Sequence, residues 1–296
     1  MKQIAIIGPT ASGKSDVALE LARNHNAFIL SIDSLSIYKE IDIASAKPAP
    51  ETLLHVKHFG INELFPHEHF DVTNIIDYYR HACREATQHA KNLIIVGGTS
   101  FYLKSLLSGI SPLPEMSDAL KLHVKTLLQD LPRAYEELLA VDTEYIQRIS
   151  PVDRYRIEKM LLIYKASNMA PSQWFKEHPA KPVIADLPLF EIEVSREVLR
   201  ERIVKRTHQM IAQGLIDEVA RLEQQYTREP HAMKAIGISE VLAFFDGHCS
   251  KETMIENIIT HTAQLAKRQQ TFNRSQFKHQ TLLPLKDIAA AAEKYM

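Results

Sequence analysis

Gly8-Pro9-Thr10-Ala11-Ser12-Gly13-Lys14-Ser15 constrains this chain more than any other stretch. It fits the pattern G-x-x-x-x-G-K-[ST], and its flanks fit as well. The apolar run Ile4-Ala5-Ile6-Ile7 before it reads as a buried strand. After it, Asp16 to Asn24 place Val17, Ala18, Leu21 and Ala22 on one face of a helix. Strand, tight glycine loop and helix in that order aim several backbone N–H groups at one point. The helix N-terminus adds partial positive charge and Lys14 a full one. The Ser15 hydroxyl can ligate Mg²⁺, and the whole device suits a di- or triphosphate. A plain glycine-rich turn does not account for strand, loop, Lys14-Ser15 and helix all agreeing.

A second buried strand, Phe28 to Ile32, ends at Asp33-Ser34. In an open α/β sheet, residues just past the carboxyl ends of strands face the ligand crevice, which places Asp33 near the phosphate loop. The segment 46–69, with Pro48, Pro50 and Pro66, reads as a long surface connection. Its histidines, His55, His58, His67 and His69, have neither Cys partners nor a helical H-E-x-x-H, and read as solvated side chains rather than metal ligands. Ile75, Tyr79, Ala82 and Ala86 mark an amphipathic helix ending near Lys91. A third strand, Leu93 to Val96, runs into Gly97-Gly98-Thr99. Nucleotide-hydrolysing proteins with such a loop usually close this strand with an Asp that holds Mg²⁺ and water. Two glycines would instead let the backbone approach an anion, with Thr99 offering a hydroxyl. That weakens an ATPase reading.

From Met116 the pattern is purely helical, with stripes at Leu120, Val124, Leu127, Leu128 and at Tyr135, Leu138, Leu139. Ser150-Pro151 reads as an N-cap with Pro at the first helical position, opening a helix with Ile157, Met160, Leu161 and Tyr164 inward. Strand character returns at Val183-Ile184-Ala185 and Phe190 to Val194. Residues 116–182 therefore read as a helical insertion into a sheet core made of 1–115 and 183–296. Ser195 caps a long helix carrying Arg196, Arg200, Arg202, Lys205 and Arg206, with Glu197 and Glu201 available to pair with much of that charge on a solvated face. Lys+Arg 35 against Asp+Glu 36 gives a net charge of -1, so any nucleic-acid surface must be local. One candidate stands out, because 257–286 holds no Asp or Glu but contains Lys267, Arg268, Arg274, Lys278 and Lys286, with Phe272 and Phe277 among them. It reads either as a surface for RNA with exposed bases or as a basic solvated helix whose phenylalanines face the core. Cys83 and Cys249 stand in no spaced pattern, and no apolar stretch reaches membrane length. The expectation is a cytoplasmic chain with reduced thiols, no membrane contact and a monomeric state.

Taken together, these motifs resemble the tRNA dimethylallyltransferase family, also called tRNA isopentenyltransferases. The resemblance rests on the stretch 8–15, Asp33-Ser34 with Ile37-Tyr38-Lys39, Ala46-Lys47-Pro48 and Val96-Gly97-Gly98-Thr99 with Tyr102. It continues through Ser111-Pro112-Leu113-Pro114, Arg206 with Met210, Gly214-Leu215, Glu218-Val219, and Ala266-Lys267-Arg268-Gln269 with Thr271. The chain departs from the pattern at Glu40 and Ala44, where glycines are common, at Ile238, Phe272 and Lys159. The resemblance implies an α/β fold with a P-loop NTPase-like parallel sheet core and the helical insertion. It implies transfer of a dimethylallyl group from dimethylallyl diphosphate to N6 of the adenosine at position 37, beside the tRNA anticodon. Residues 8–15 would hold the diphosphate with Mg²⁺ on Ser15. Asp33 would accept the N6 proton, while Thr99 and Arg206 would stabilise the leaving group. The anticodon stem-loop would meet Asp33, Ser34, Leu35, Ser36, Lys121, Tyr155, Arg156, Lys159, Lys234, Gly237, Lys267, Arg268 and Arg274. Two other readings remain from the residues alone: a small-molecule or nucleotide kinase using ATP in the same loop, and a non-catalytic RNA-binding regulator.

Overall fold

Apolar runs of five or six residues, too short for stable helices and flanked by turn residues, become strands of one parallel sheet. The computed structural model describes residues 1–296. In chain order the elements begin with β1 (Gln3–Ile7), α1 (Lys14–Asn24), β2 (Ala27–Ser31), α2 (Pro50–His55), β3 (His58–Phe59), α3 (Val72–Gln88), β4 (Asn92–Gly97) and α4 (Ser100–Ser108). Five helices follow: α5 (Asp118–Leu127), α6 (Leu131–Val141), α7 (Thr143–Ile146), α8 (Arg154–Ser167) and α9 (Pro171–Glu177). The chain then returns through β5 (Leu189–Glu193), α10 (Arg196–Ala212), α11 (Leu215–Tyr226), α12 (Ile238–Phe245), α13 (Lys251–Gln276), β6 (Thr281–Pro284) and α14 (Leu285–Glu293).

The six strands lie in the order β3-β2-β4-β1-β5-β6, all parallel. Parallel neighbours need crossovers, and helices supply them while covering the sheet, which is why β1, β2 and β4 are buried almost throughout. One core joins Ile4, Ile6, Ile29, Ile94, Val96 and Phe190 of the sheet to Leu21 of α1 and Ile288 of α14. A second gathers Ile37, Tyr38 and Ile41 with Leu215 and Val219 of α11, Val241 of α12 and Ile258 of α13. This second core carries the segment after β2 on the C-terminal helices.

The chain divides into two units, 1–105 with 184–296 and 106–183. The helical unit has its own core, in which Val124, Leu138, Ile146, Ile157, Leu161 and Ile163 are buried. Its ends meet. Val183 N–H donates to the Leu106 carbonyl at 2.9 Å, and Gly109, at φ 76°, packs directly against the Lys181 backbone where no Cβ would fit.

Four expectations need correction. The segment 46–69 is not merely a surface connection, since it contains α2 and β3, and Phe59 is buried. His58 is correspondingly part-buried, with Nδ1 2.7 Å from the Val56 carbonyl, and burial lowers its pKa. Ser150-Pro151 forms a turn instead of a helix start, because Asp153 takes the cap, its side chain accepting from Arg156 N–H at 3.0 Å. Val183 to Ala185 is not a strand; Ile184 is buried without joining the sheet. Finally, the C-terminal basic stretch is not one helix, since it breaks after Gln276 and adds β6 to the sheet edge beside β5.

Candidate active site

Sheet register brings three strand ends together. Ile7 pairs with Gly97 and Ser31 with Val96, so segments 8–15, 32–34 and 98–99 leave the sheet at one edge. Asp33, Thr99 and the phosphate loop become neighbours for that reason.

The loop is held from two helices. Ala11 sits at φ 61°, a left-handed conformation that costs a non-glycine residue about 1–2 kcal/mol. Arg202 on α10 donates to the carbonyls of Ala11 at 3.4 Å and Ser12 at 3.0 Å. Gln269 on α13 accepts from Thr10 N–H at 2.8 Å and donates to the Gly98 carbonyl at 2.9 Å. Within the loop, the Pro9 carbonyl accepts from Ser12 N–H at 3.2 Å and from Lys14 Nζ at 3.2 Å. The N–H groups of Gly13, Lys14 and Ser15 open the helix and have no acceptor in the protein. They are the donors left to meet an anion.

Charge points the same way. Burial pushes the Lys14 ammonium from 10.5 down to about 8, Asp33 opposes that shift, and Arg206 adds to it. Burial also lowers the Arg206 guanidinium, against the pull of Asp33 and Asp16. Two part-desolvated cations facing one another lack negative charge, and an anion between them would restore it.

Asp33 is fixed by one oxygen only. Oδ1 accepts from Leu35 N–H at 2.9 Å and Ser36 N–H at 3.3 Å, closing a turn after β2. Behind it, the Ser31 and Ser36 hydroxyls bond at 3.1 Å. Oδ2 has no hydrogen-bond partner in the protein. Thr99 Oγ1 accepts from Ser34 N–H at 3.2 Å, which leaves its own proton to donate.

A cavity of about 670 Å³ is lined by Thr10, Lys14, Ser15, Asp33, Ser34, Leu35, Ser36, Thr99, Arg206 and Lys234, together with Gln269. A second, of about 790 Å³, is lined by Ala11 and Gly13 and shares Lys14, Ser15, Asp16, Lys47 and Arg206 with the first. Gly8, Pro9 and Ser12 are buried and line neither. Close packing at Gly97 and Gly98 itself requires glycine. A Cβ on Gly97 would meet the Ile32 backbone at 2.7 Å, and one on Gly98 would meet Gln269 Nε2 at 2.5 Å. Protein atoms fill that space.

The expected RNA-facing residues are placed differently from one another. Lys267, Arg268 and Arg274 are exposed on α13, while Gly237 is buried at φ 95° with its N–H on Glu240. Phe277 is buried and serves the core, while Phe272 is part-buried and packs edge-on against it at 6.4 Å between centroids. In the helical unit, Lys121 pairs with Asp118 at 2.9 Å and Arg156 with Asp153 at 2.9 Å. Tyr155 is 67% exposed, and Lys159 Nζ lies 5.5 Å from its ring centroid.

Sequence reasoning missed three side chains. Gln269 carried no assigned role, and Arg202 was read as part of a solvated face. Glu218, almost fully buried, accepts from the N–H groups of Asp42, Ile43 and Ala44 at 3.0, 2.8 and 2.9 Å. It thereby fixes the segment that leads to Ala46 and Lys47 on the cavity wall. The only sequence signal was the place of Glu218 and Gln269 in the motifs at 214–219 and 266–269; Arg202 had none.

Fold and site define a phosphate-loop α/β protein in which cations short of solvent share a cavity with a free carboxylate oxygen. The chain belongs to the IPP transferase family, whose profile matches residues 36–276. It is 54% identical over 288 residues to the tRNA dimethylallyltransferase of Sulfurimonas denitrificans, covering 97% of each chain. The tRNA delta(2)-isopentenylpyrophosphate transferase of Staphylococcus epidermidis is similar in structure, with a TM-score of 0.70, 30% identity and 99% of each chain covered. The fold also matches a eukaryotic dimethylallyltransferase acting on tRNA, at a TM-score of 0.86 and 24% identity, covering 99% of this chain and 78% of that one. No helix is long and apolar enough to cross a membrane.

Proposed function

We infer that this chain transfers a dimethylallyl group from dimethylallyl diphosphate to N6 of the adenosine at position 37 of tRNA, beside the anticodon. The observation that carries this reading is the single cavity in which Lys14, Arg206 and Asp33 meet. The N6 lone pair attacks the allylic carbon, the carbon–oxygen bond breaks, and the bonding pair leaves on the diphosphate. Lys14, Arg206, the free N–H groups of 13–15 and the Thr99 hydroxyl receive that charge. Asp33 Oδ2 takes the N6 proton as the nitrogen becomes cationic. The adenine leaves its stack to enter the cavity, as bases must for chemistry on their edges.

Mg²⁺ fits the donors present. Ser15 is exposed and lines both cavities beside Asp16, and Mg²⁺ prefers a few protein ligands plus phosphate oxygens and water. When bound, it neutralises charge on the diphosphate leaving group. Basic residues of each unit supply contacts to the phosphates of the anticodon stem-loop: the exposed Lys234, Lys267, Arg268 and Arg274 in one, and the exposed Lys121 and Arg156 with the part-buried Lys159 in the other.

Unmodified tRNA incubated with labelled dimethylallyl diphosphate tests this directly. Label should appear on N6 of the adenosine next to the anticodon. Steady ATP turnover with no label on RNA would return the chain to the kinase reading.

A further inference from the structure

Gln269 is separated from the phosphate loop by most of the chain, yet its side-chain amide is engaged at both ends beside it. Oε1 accepts from Thr10 N–H at 2.8 Å and Nε2 donates to the Gly98 carbonyl at 2.9 Å. One acceptor and one donor on adjacent atoms is what a side-chain amide offers, and both are used here. The fit is tight. A Cβ on Gly98 would lie 2.5 Å from Gln269 Nε2 and 3.6 Å from Lys14 Nζ, so the amide and the ammonium flank the same glycine. Bonds within the loop, such as Ser12 N–H to the Pro9 carbonyl at 3.2 Å, turn it without tying it to the 98–99 segment. Thr10 precedes the left-handed Ala11, and Gly98 belongs to a glycine pair with no side chains to pack.

We propose that Gln269 is a positioning residue for the transfer, setting the spacing between the Lys14 loop and the Thr99 turn that receive the leaving diphosphate. The assignment rests on the reading of this cavity as a diphosphate site. Gln269 does not touch the reacting atoms. Its influence falls mainly on the transition state, because only the departing diphosphate develops the charge that needs both segments at the correct distance. Misplacing a catalytic group by an ångström costs about 10²-fold in rate, and that is the loss expected here.

Two variants test this. Gln269→Met keeps the length and removes both polar atoms. Its single-turnover transfer rate should fall by about 10²-fold, while the KM for dimethylallyl diphosphate changes much less. Gln269→Glu gives the more specific readout. As a carboxylate it accepts from Thr10 but cannot donate to Gly98, and it sets a negative charge beside Lys14. When protonated it has the shape and hydrogen-bond pattern of the amide. Affinity for inorganic diphosphate, measured by calorimetry against wild type at each pH, should therefore be more than about tenfold worse at pH 8. Most of that deficit should vanish at pH 4, below the ordinary glutamate pKa of about 4.3. A merely structural role predicts the same deficit at both pH values, and that result would overturn the proposal. So would a Gln269→Met enzyme that turns over at the wild-type rate. If wild type bound diphosphate but placed no label on tRNA, the functional reading would fail, while the diphosphate titration would still judge Gln269 independently.

Discussion

Replacing Asp33 by Asn tests the chemistry with the least disturbance to the fold. The carboxylate Oδ1 holds the turn through Leu35 and Ser36 N–H, and an amide oxygen can keep both bonds. What is lost is Oδ2 as a proton acceptor. General-base assistance is typically worth about 10²–10⁴-fold, or roughly 2.7–5.4 kcal/mol of barrier. A second effect must be separated from the first. Asp33 is a counter-charge for Lys14 and Arg206, so Asp33→Asn should lower the Lys14 pKa further below about 8. At pH 8.5 the free variant then holds less ammonium and binds the donor more weakly, whereas at pH 6.5 Lys14 is charged in both proteins; saturating donor removes this difference. The assay is rapid-quench single turnover with saturating tRNA and dimethylallyl diphosphate at both pH values. The rate should drop by at least about 10²-fold at pH 6.5 and by a similar factor at pH 8.5. A near wild-type rate at pH 6.5 would show that Asp33 acts as a counter-ion, not as the base.

Lys14→Ala should abolish transfer while tRNA affinity, read by filter binding, stays near wild type; an equal loss of RNA binding in a folded variant would contradict the division of surfaces. Because the Lys14 pKa lies near 8 in the protein alone, diphosphate should raise it toward 10.5, contributing up to roughly 3 kcal/mol to binding. Calorimetry at pH 9 in buffers of different ionisation enthalpy should then record uptake of nearly one proton per diphosphate, absent in Lys14→Ala. Arg268→Ala and Arg274→Ala should each reduce the log K against log salt slope for tRNA by about 0.7–0.9 in magnitude; unchanged slopes would make α13 an ordinary solvated helix. Glu218→Gln should lower stability by about 1.5–3 kcal/mol in urea unfolding, since one charge-assisted acceptor for part-buried N–H groups is lost; an unchanged midpoint would mean that segment 42–44 supports itself.

The parts of this fold that could be read from sequence are those in which a local pattern and its partner lie close together. β1, the phosphate loop and α1 form one continuous signal, and Asp33 follows a strand whose five residues are all buried. β3 escaped because two residues carry no periodicity, and its pairing with β2 is visible only in space. β6 escaped because its residues are mostly exposed and end in Pro, as an edge strand permits. The cap before α8 was misjudged because Ser150 and Asp153 both satisfy the rule, and only one can hold the first turn. Gln269 and Arg202 look like surface residues on charged helices. Their partners at Thr10, Gly98, Ala11 and Ser12 lie on the far side of the chain, and no spacing rule connects them. Half of the site was therefore legible as a motif, and the half that holds the motif in shape was not.

The pairing of Leu106 with Val183 has an evolutionary reading. The helical unit is entered and left at adjacent points, so a short turn could close the remaining chain without stretching either end. In such an arrangement the unit is a cassette. Helices within it can lengthen, shorten or be exchanged while the sheet and its phosphate loop keep their register, because no strand spacing depends on what lies between the two ends. If the helical unit meets RNA as proposed, selection on RNA preference can act there independently of selection on the transfer chemistry.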